Sequence, residues 1–369
     1  MTLLGLITVG GAAGAGNLPT NGKIAFGRWN PALDDYQIFT INPDGTGEHM
    51  LLPDGAESPT WSPDGTKIAV TVDDIPGGPR TATLNPDGSG YNLLDPSFTL
   101  NLTCKAWSPD GKRLACAGFG ENPTMTDGLY TVRASDGGDI KQLTTYPNGT
   151  LDAQFTNDIP LGYSPDGSRI LFDRNHNNDR GSLFVVNIDG THLRRLNPKG
   201  LKVTSDQGDG WSPDGSHVTF AAFFKLSTGN GSGTAVYVVN ADGTGLRQIT
   251  PSGLGAFRAR WSPDGQRIAF NSKFRSDVQI WVVHPDGTGL KSLTSGNADV
   301  SLTPVWSPDG TKLVFQRVHF VNGQGQENLW TMNSDGSELL RLTNTPDPDP
   351  GTQHPVTEGG QAWGTAPIG

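Results

Sequence analysis

Apolar residues in this chain come in short runs of three or four, and each run is bounded by Gly, Pro, Asp or Ser. One set reads Lys67-Ile-Ala-Val, Arg113-Leu-Ala-Cys, Arg169-Ile-Leu-Phe, His217-Val-Thr-Phe, Arg267-Ile-Ala-Phe and Lys312-Leu-Val-Phe. Runs of this length, rich in β-branched and aromatic residues and closed by turn residues, predict strands. Each follows a Ser-Pro-Asp-Gly tetrapeptide, which begins at residues 62, 108, 164, 212, 262 and 307. An aromatic precedes every tetrapeptide: Trp61, Trp107, Tyr163, Trp211, Trp261 and Trp306. A second turn recurs between them, as Asn42-Pro-Asp-Gly, Asn85-Pro-Asp-Gly, Ser135-Asp-Gly, Asn187-Ile-Asp-Gly, Asn240-Ala-Asp-Gly, His284-Pro-Asp-Gly and Asn333-Ser-Asp-Gly. Pro presets φ, Asp bonds its own backbone and Gly accepts positive φ, so both motifs suit tight hairpins. Each unit therefore predicts four strands, a to d, with the first motif joining a to b and the second joining c to d.

Six first motifs stand against seven second ones. The unmatched unit is split between the chain ends. Lys23-Ile-Ala-Phe supplies its strand b and Gln37-Ile-Phe-Thr-Ile its strand c, while Gly360-Gln-Ala-Trp363-Gly matches the strand a of Arg258-Ala-Arg-Trp261-Ser. The C-terminal strand then completes the N-terminal unit and closes a ring, leaving no open sheet edge. A period of about 49 residues is that of a propeller blade. The expected fold is all-β: a seven-bladed β-propeller of four-stranded antiparallel blades, occupying residues 21–369 as one domain.

The unit Trp-Ser-Pro-Asp-Gly-x-x-Ile-Ala-Phe, followed by Ile-Trp-Val-Val-x-x-Asp-Gly and a closing Leu-Thr, resembles the repeat of TolB-type β-propellers, the WD40-like PD40 repeat family. The likeness runs over nearly the whole chain. It implies a propeller whose role is binding, although the usual TolB description has six blades rather than seven.

Composition agrees with the pattern. The 50 Gly and 27 Pro among 369 residues favour turns over helices, and no stretch of 18 apolar residues suits a membrane helix. A net charge of −10 without basic runs argues against nucleic acid and anionic lipid as partners. Residues 1–20 resemble the apolar part of a secretion signal with Ala13-Gly14-Ala15 as a cleavage site; the alternative is a disordered Gly/Ala tail. A Ser108–Gly111 hairpin puts Trp107 opposite Arg113 and Cys104 opposite Cys116. Such opposed Cα atoms lie about 4.5–5.5 Å apart, within disulfide range. A Cys104–Cys116 bridge would agree with a secreted or periplasmic address.

Ring aromatics and turn motifs are read as structural, since one large aromatic per blade packs neighbouring sheets. Function is expected where the repeats differ, in the d–a and b–c connections of one face. These include the stretches 28–36, 71–81, 117–128, 145–160, 173–182, 221–235 and 316–328. Candidate ligand-binding residues there are Trp29, Arg174, His176, Arg317, His319, Phe320 and His354. Four carboxylates, Glu57, Asp158, Asp206 and Glu358, stand four or five residues ahead of a ring aromatic. Converging carboxylates suit Ca²⁺ or another divalent cation; the competing reading is that they are solvated or pair with Arg174, Arg258 or Arg317. Oligogalacturonate lyases resemble this architecture and use a metal held by His, but the chain shows no compact His cluster. No hydrolase elbow, Walker loop, zincin motif or dinucleotide fingerprint occurs. The reading is a monomeric, non-catalytic scaffold for a protein, peptide or glycan at the variable-loop face. The alternative is a metal-assisted polysaccharide lyase or hydrolase at the channel mouth.

Overall fold

Ser-Pro-Asp-Gly folds the same way in all six places. The Ser hydroxyl donates to the Asp carboxylate two residues on, at 2.5–2.7 Å. The same oxygen accepts the N–H of the residue five positions on, at 2.9 Å. The turn Gly sits at φ between 68° and 72°, where a side chain would be strained. The Asp is spent inside its own turn. At Asp166, donation from the Ser164 hydroxyl and from Ser168 brings the carboxyl down to about 2.

The computed structural model describes residues 18–73, 78–94, 101–119, 127–145, 157–176, 179–204, 210–225, 232–274, 277–296, 299–321, 324–345 and 357–366. The signal-like segment 1–17 lies outside them. The regular elements form seven four-stranded sheets. Six blades are consecutive in sequence. Their b strands are Ile68–Val72, Arg113–Phe119, Arg169–His176, His217–Lys225, Ile268–Phe274 and Lys312–Val321, in blades 2 to 7. Blade 1 joins the chain ends. Its inner strand Glu358–Thr365 pairs with Asn21–Asn30, with Ile24 opposite Trp363 and Ala25 opposite Ala362. Inner strands of successive blades touch one another from blade 6 through blades 7, 1, 2 and 3 to blade 4.

Seven apolar clusters hold the ring, one at each blade boundary. A ring aromatic stands in every one. Three indoles also reach back to the preceding blade: Trp107 Nε1 donates to Thr60 O, Trp211 Nε1 to Gly162 O and Trp306 Nε1 to Arg260 O, at 3.2–3.3 Å. The accepting residue is in each case the one before the previous ring aromatic. These residues are mortar between blades; truncating one to Ala would cost about 3–5 kcal/mol.

Cys104 and Cys116 face each other and are bonded, with Cα atoms 3.8 Å apart. The register that leads there differs from the expected one. Because Ser108 Oγ holds the Arg113 N–H, the turn takes in one more residue and Trp107 pairs with Leu114, not Arg113. A bulge between Cys104 and Ala106 then shifts the ladder back by one. Two one-residue steps cancel, and the cysteines meet.

A second correction concerns the b–c connections. In blades 1, 4, 5 and 7 the stretches expected as long variable loops carry extended ladders. In blade 7, Lys312–Val321 pairs with Gln324–Asn333 down to Val321 opposite Gln324. In blade 1 the ladder continues to Asn30 opposite Asp35. Backbone pairing satisfies these N–H and C=O groups as they leave the core, so Trp29, His176, Arg317, His319 and Phe320 are strand residues.

Candidate functional site

Of the four candidate carboxylates, Glu57 and Glu358 share the lining of one cavity, while Asp158 stands outside it. Asp158 and Glu358 are both buried, each opposite an arginine on its own strand b: Asp158 faces Arg174 and Glu358 faces Arg28. Arg174 forks onto Asp158 with Nε to Oδ1 at 2.7 Å and Nη2 to Oδ2 at 2.6 Å. Arg28 Nε donates to Glu358 Oε1 at 2.8 Å, while its two Nη groups take Glu48. The second carboxylate oxygen is closed from the preceding blade. In blades 3 and 7 the Leu-Thr that follows strand d offers a hydroxyl that accepts an N–H of strand c, Thr144 from Leu129 and Thr343 from Leu329. That hydroxyl in turn donates to Asp158 from Thr144 and to Glu358 from Thr343. Both acids therefore latch one blade to the next, 3 to 4 and 7 to 1. Burial raises the Glu358 carboxyl, against the pull of Arg28 and Thr343.

Glu57, by contrast, faces Thr71 and is exposed, and Asp206 lies outside the described residues. Asp158 and Glu358 are thus taken up by Arg and Thr side chains. Among the described residues no three His, Cys, Asp or Glu side chains come together as a metal-holding group.

The remaining candidates scatter. Asp299 gathers Arg317 and His319: both Arg317 Nε and Nη2 donate to Oδ2, and His319 Nδ1 lies 2.6 Å from Oδ1. Phe320 beside them is exposed. Trp29 packs edge-on against Tyr36, ring centroids 5.0 Å apart. His176 ends its strand opposite Asp179, and His354 lies outside the described residues.

The cavity that does form, of about 470 Å³, opens where strands a begin and b–c hairpins turn in blades 6, 7, 1 and 2. Its charged lining is Glu57, Glu327, Glu358, Arg258 and Arg260. It exists because strand a bulges three residues before the ring aromatic. Ser58, Arg258, Thr303 and Gly360 occupy that position in the four blades, all at φ between 51° and 62°. The ladder breaks there, between Glu57 and Thr60, Phe257 and Arg260, and Leu302 and Val305. All four bulged residues line the cavity. Its wall is braced by Gln316, which accepts from Thr303 Oγ1 and donates to the Glu358 carbonyl, both at 2.7 Å. Gly359 is required by this brace, since a Cβ there would lie 2.3 Å from Gln316 Nε2.

Glu327 is the cavity's unusual group. Burial, and then the charge of Glu358, push its carboxyl up to about 7, while the Glu358 N–H and Arg258 pull the other way. Sequence reading found Glu57 and Glu358 of this lining and named Arg258 only as a partner for the carboxylates, but missed Arg260 and Glu327. The available signal was positional: Arg258 stands three before Trp261, as Ser58 does before Trp61. Among the described residues the cavity lining contains Ser, Thr, Tyr, Gln, Glu and Arg but neither His nor Cys, so they present hydrogen-bonding groups of both signs.

A family model described as the TolB beta propeller domain matches residues 152–351, which is more than half of the chain. The chain belongs to the TolB beta propeller family. Relatives agree with this. A TolB homolog of Chlorobium luteolum is 30% identical over 148 residues, 40% of this chain and 29% of that protein. An uncharacterized protein of Agrobacterium fabrum is 26% identical over 183 residues, 50% of this chain and 57% of its own length. The chain thus spans less than two thirds of either relative. Among solved structures, TolB from Acinetobacter baumannii aligns with a TM-score of 0.52 at 19% identity, over 94% of this chain and 68% of that one. An oligogalacturonate lyase in complex with manganese aligns at 0.61 and 15% identity, over 80% and 82%. At these identities the likeness is one of fold. No helix among the described residues of this TolB-type propeller is long and apolar enough to cross a membrane.

Proposed function

We propose that this TolB-type propeller is a non-catalytic binding scaffold, and that a protein segment, peptide or glycan docks into the cavity of blades 6, 7, 1 and 2. The observation that carries the reading is the coincidence of four left-handed bulges, all on one arc, with a polar recess walled by three carboxylates and two arginines. Mixed charge at the mouth of a rigid ring suits a ligand that offers donors and acceptors together. Trp29 and Phe320, on the hairpins at the same end, extend the contact surface. A secreted or periplasmic address and a monomeric state belong to this reading; the Cys104–Cys116 bridge supports the former.

Calorimetric titration against peptide and oligosaccharide panels tests it. A ligand that binds the native protein should lose at least tenfold in affinity on Arg258→Ala and on Glu57→Ala. Unchanged affinity in both would remove the cavity from the reading. Turnover of a uronate oligosaccharide by the protein would replace it with the lyase alternative.

A further inference from the structure

The charges of the recess in blades 6, 7, 1 and 2 are not equally engaged. Glu358 is taken by Arg28, by Thr343 and by the Leu329 N–H. Arg258 and Arg260 both make contacts of their own. Two carboxylates remain. Glu57, on blade 2, is exposed opposite Thr71, and no donor among the described residues engages it. Glu327, on the blade 7 hairpin opposite Val318, accepts the Glu358 N–H and feels the charge of Arg258, but forms no ion pair among the described residues. Burial and the charge of Glu358 push it up to about 7; a carboxyl in that state is short of a counter-charge.

Blade 1 stands between these two blades, and its part of the wall is aromatic. Tyr36 and Gly27 line the recess together with both acids. Trp29, opposite Tyr36 on the ladder, props that ring edge-on. The ring reaches across to Gly27, where an added Cβ would lie 3.5 Å from both Tyr36 Cδ1 and the Gly359 carbonyl oxygen. A ring face attracts a cation, and so does each carboxylate. A hard metal ion needs oxygens gathered at one point. Acids on two blades, with a ring on the blade between them, suit an organic cation whose charge and carbon chain are met separately.

We propose that the recess selects an organic cation, an alkylammonium group above all, its charge shared by Glu57 and Glu327 and its carbon chain laid on Tyr36. This rests on the reading of the recess as the docking site and adds the ligand's charge. A lysine side chain on a protein segment and a free diamine carry the same group. Because the cation supplies the charge that Glu327 lacks, binding converts Glu327 to its carboxylate and releases a proton. Affinity therefore rises with pH through the range in which Glu327 titrates. Glu358 of blade 1 and Arg258 of blade 6 act on Glu327 from outside its blade. Within it, the flanking charged groups are Arg317 and His319 on strand b, which hold Asp299, and Arg341 on strand d, which holds Asn328.

Saturation-transfer NMR titration of the full chain tests this, with cadaverine, Nα-acetyllysine amide and the uncharged Nα-acetylnorleucine amide as probes. Both amines should bind saturably, and the norleucine compound at least about tenfold more weakly. Tighter binding of the lysine compound identifies a polypeptide segment as the occupant, and tighter binding of cadaverine a free amine. Glu57→Gln and Glu327→Gln should each weaken the amines about three- to tenfold, and Tyr36→Leu about two- to fivefold. From about pH 6 to about pH 8 the native affinity should rise about three- to tenfold, a rise lost in Glu327→Gln and kept in His319→Gln. Norleucine binding as tight as that of lysine, amine binding untouched by both Gln variants, a pH rise that survives Glu327→Gln, or no amine binding at all would overturn the proposal. The scaffold reading is judged apart from it. A peptide or oligosaccharide that binds the native protein and is lost on Arg258→Ala and Glu57→Ala upholds that reading, whatever the amines do.

Discussion

Blades 2 and 3 are neighbours built from one repeat, yet they bend their inner strands in different ways. Blade 2 places Ser58 three residues before its ring aromatic, at φ 54°, and skips two residues of ladder. Blade 3 places Cys104 there, paired and bonded to Cys116, and skips one. Blade 4 has Pro160 at the same position and also skips one. The chemistry explains the divide. A disulfide across the ladder keeps Cys104 in register, and the proline ring forbids positive φ. Neither can form the left-handed bulge that recurs in blades 6, 7, 1 and 2. One arc of the ring is therefore open and polar, while the arc of blades 3 and 4 is stapled. A single position per repeat decides where a recess forms.

The largest effect that separates the arcs should come from their carboxylates. Asp158→Ala removes the carboxylate that Arg174 grips, and removing one partner of a buried ion pair costs about 3–5 kcal/mol. Glu57→Ala, at an exposed residue of the open arc, should change stability by about 0.5 kcal/mol or less. Urea unfolding of the two variants measures the contrast. Equal losses would mean that the latch does not hold blade 3 to blade 4.

Next in size is a pH effect confined to the open arc. The Glu327 carboxyl titrates near 7 in the folded protein, above its unfolded value. Between about pH 4.5 and 7 the native state then binds more protons than the unfolded one, so stability falls as pH rises through that window. Glu327 is partly accessible, and the loss should be about 1–3 kcal/mol. Glu327→Gln should flatten this slope and gain most over the native protein at pH 8. The turn carboxyls of Asp64, Asp110, Asp166, Asp214 and Asp309 are shifted the other way, that of Asp166 down to about 2. A native slope that Glu327→Gln leaves intact would assign it to Glu358 instead.

How legible all this was follows from the same divide. Blade number, ring closure and the cysteine bridge repeat a pattern along the chain, and repetition is what sequence displays. Arg28 and Glu358 are 330 residues apart, and their pairing needs the register of the closing strand. The opposed pair Asp158 and Arg174 was within reach, because both flank one hairpin. The bulges were not, since nothing in Glu57-Ser-Pro-Thr or Phe257-Arg-Ala-Arg marks a left-handed residue. Ser, Arg and Thr take that conformation only because the ring fixes the ends of strand a.

The smallest effect is also the most direct measure of that imposed strain. If the ring forces Ser58 and Gly360 into the same left-handed bulge, opposite substitutions should have opposite signs. Ser58→Gly relieves a side chain at φ 54° and should stabilise the protein, by about 0.5–1 kcal/mol, less what the freer unfolded chain takes back. Gly360→Ala places a Cβ at φ 62°, where the nearest atom, Ser58 Cα, is 3.7 Å away. There is room for the methyl, so its cost of about 1 kcal/mol comes from backbone conformation alone. Control substitutions belong in the stapled arc: Lys105→Gly, at the bulge beside Cys104, lacks positive φ and should only destabilise. A Ser58→Gly variant less stable than the native protein by as much as Lys105→Gly would show that the open arc stores no strain. The recess would then owe its shape to side chains rather than to the bend of the inner strands.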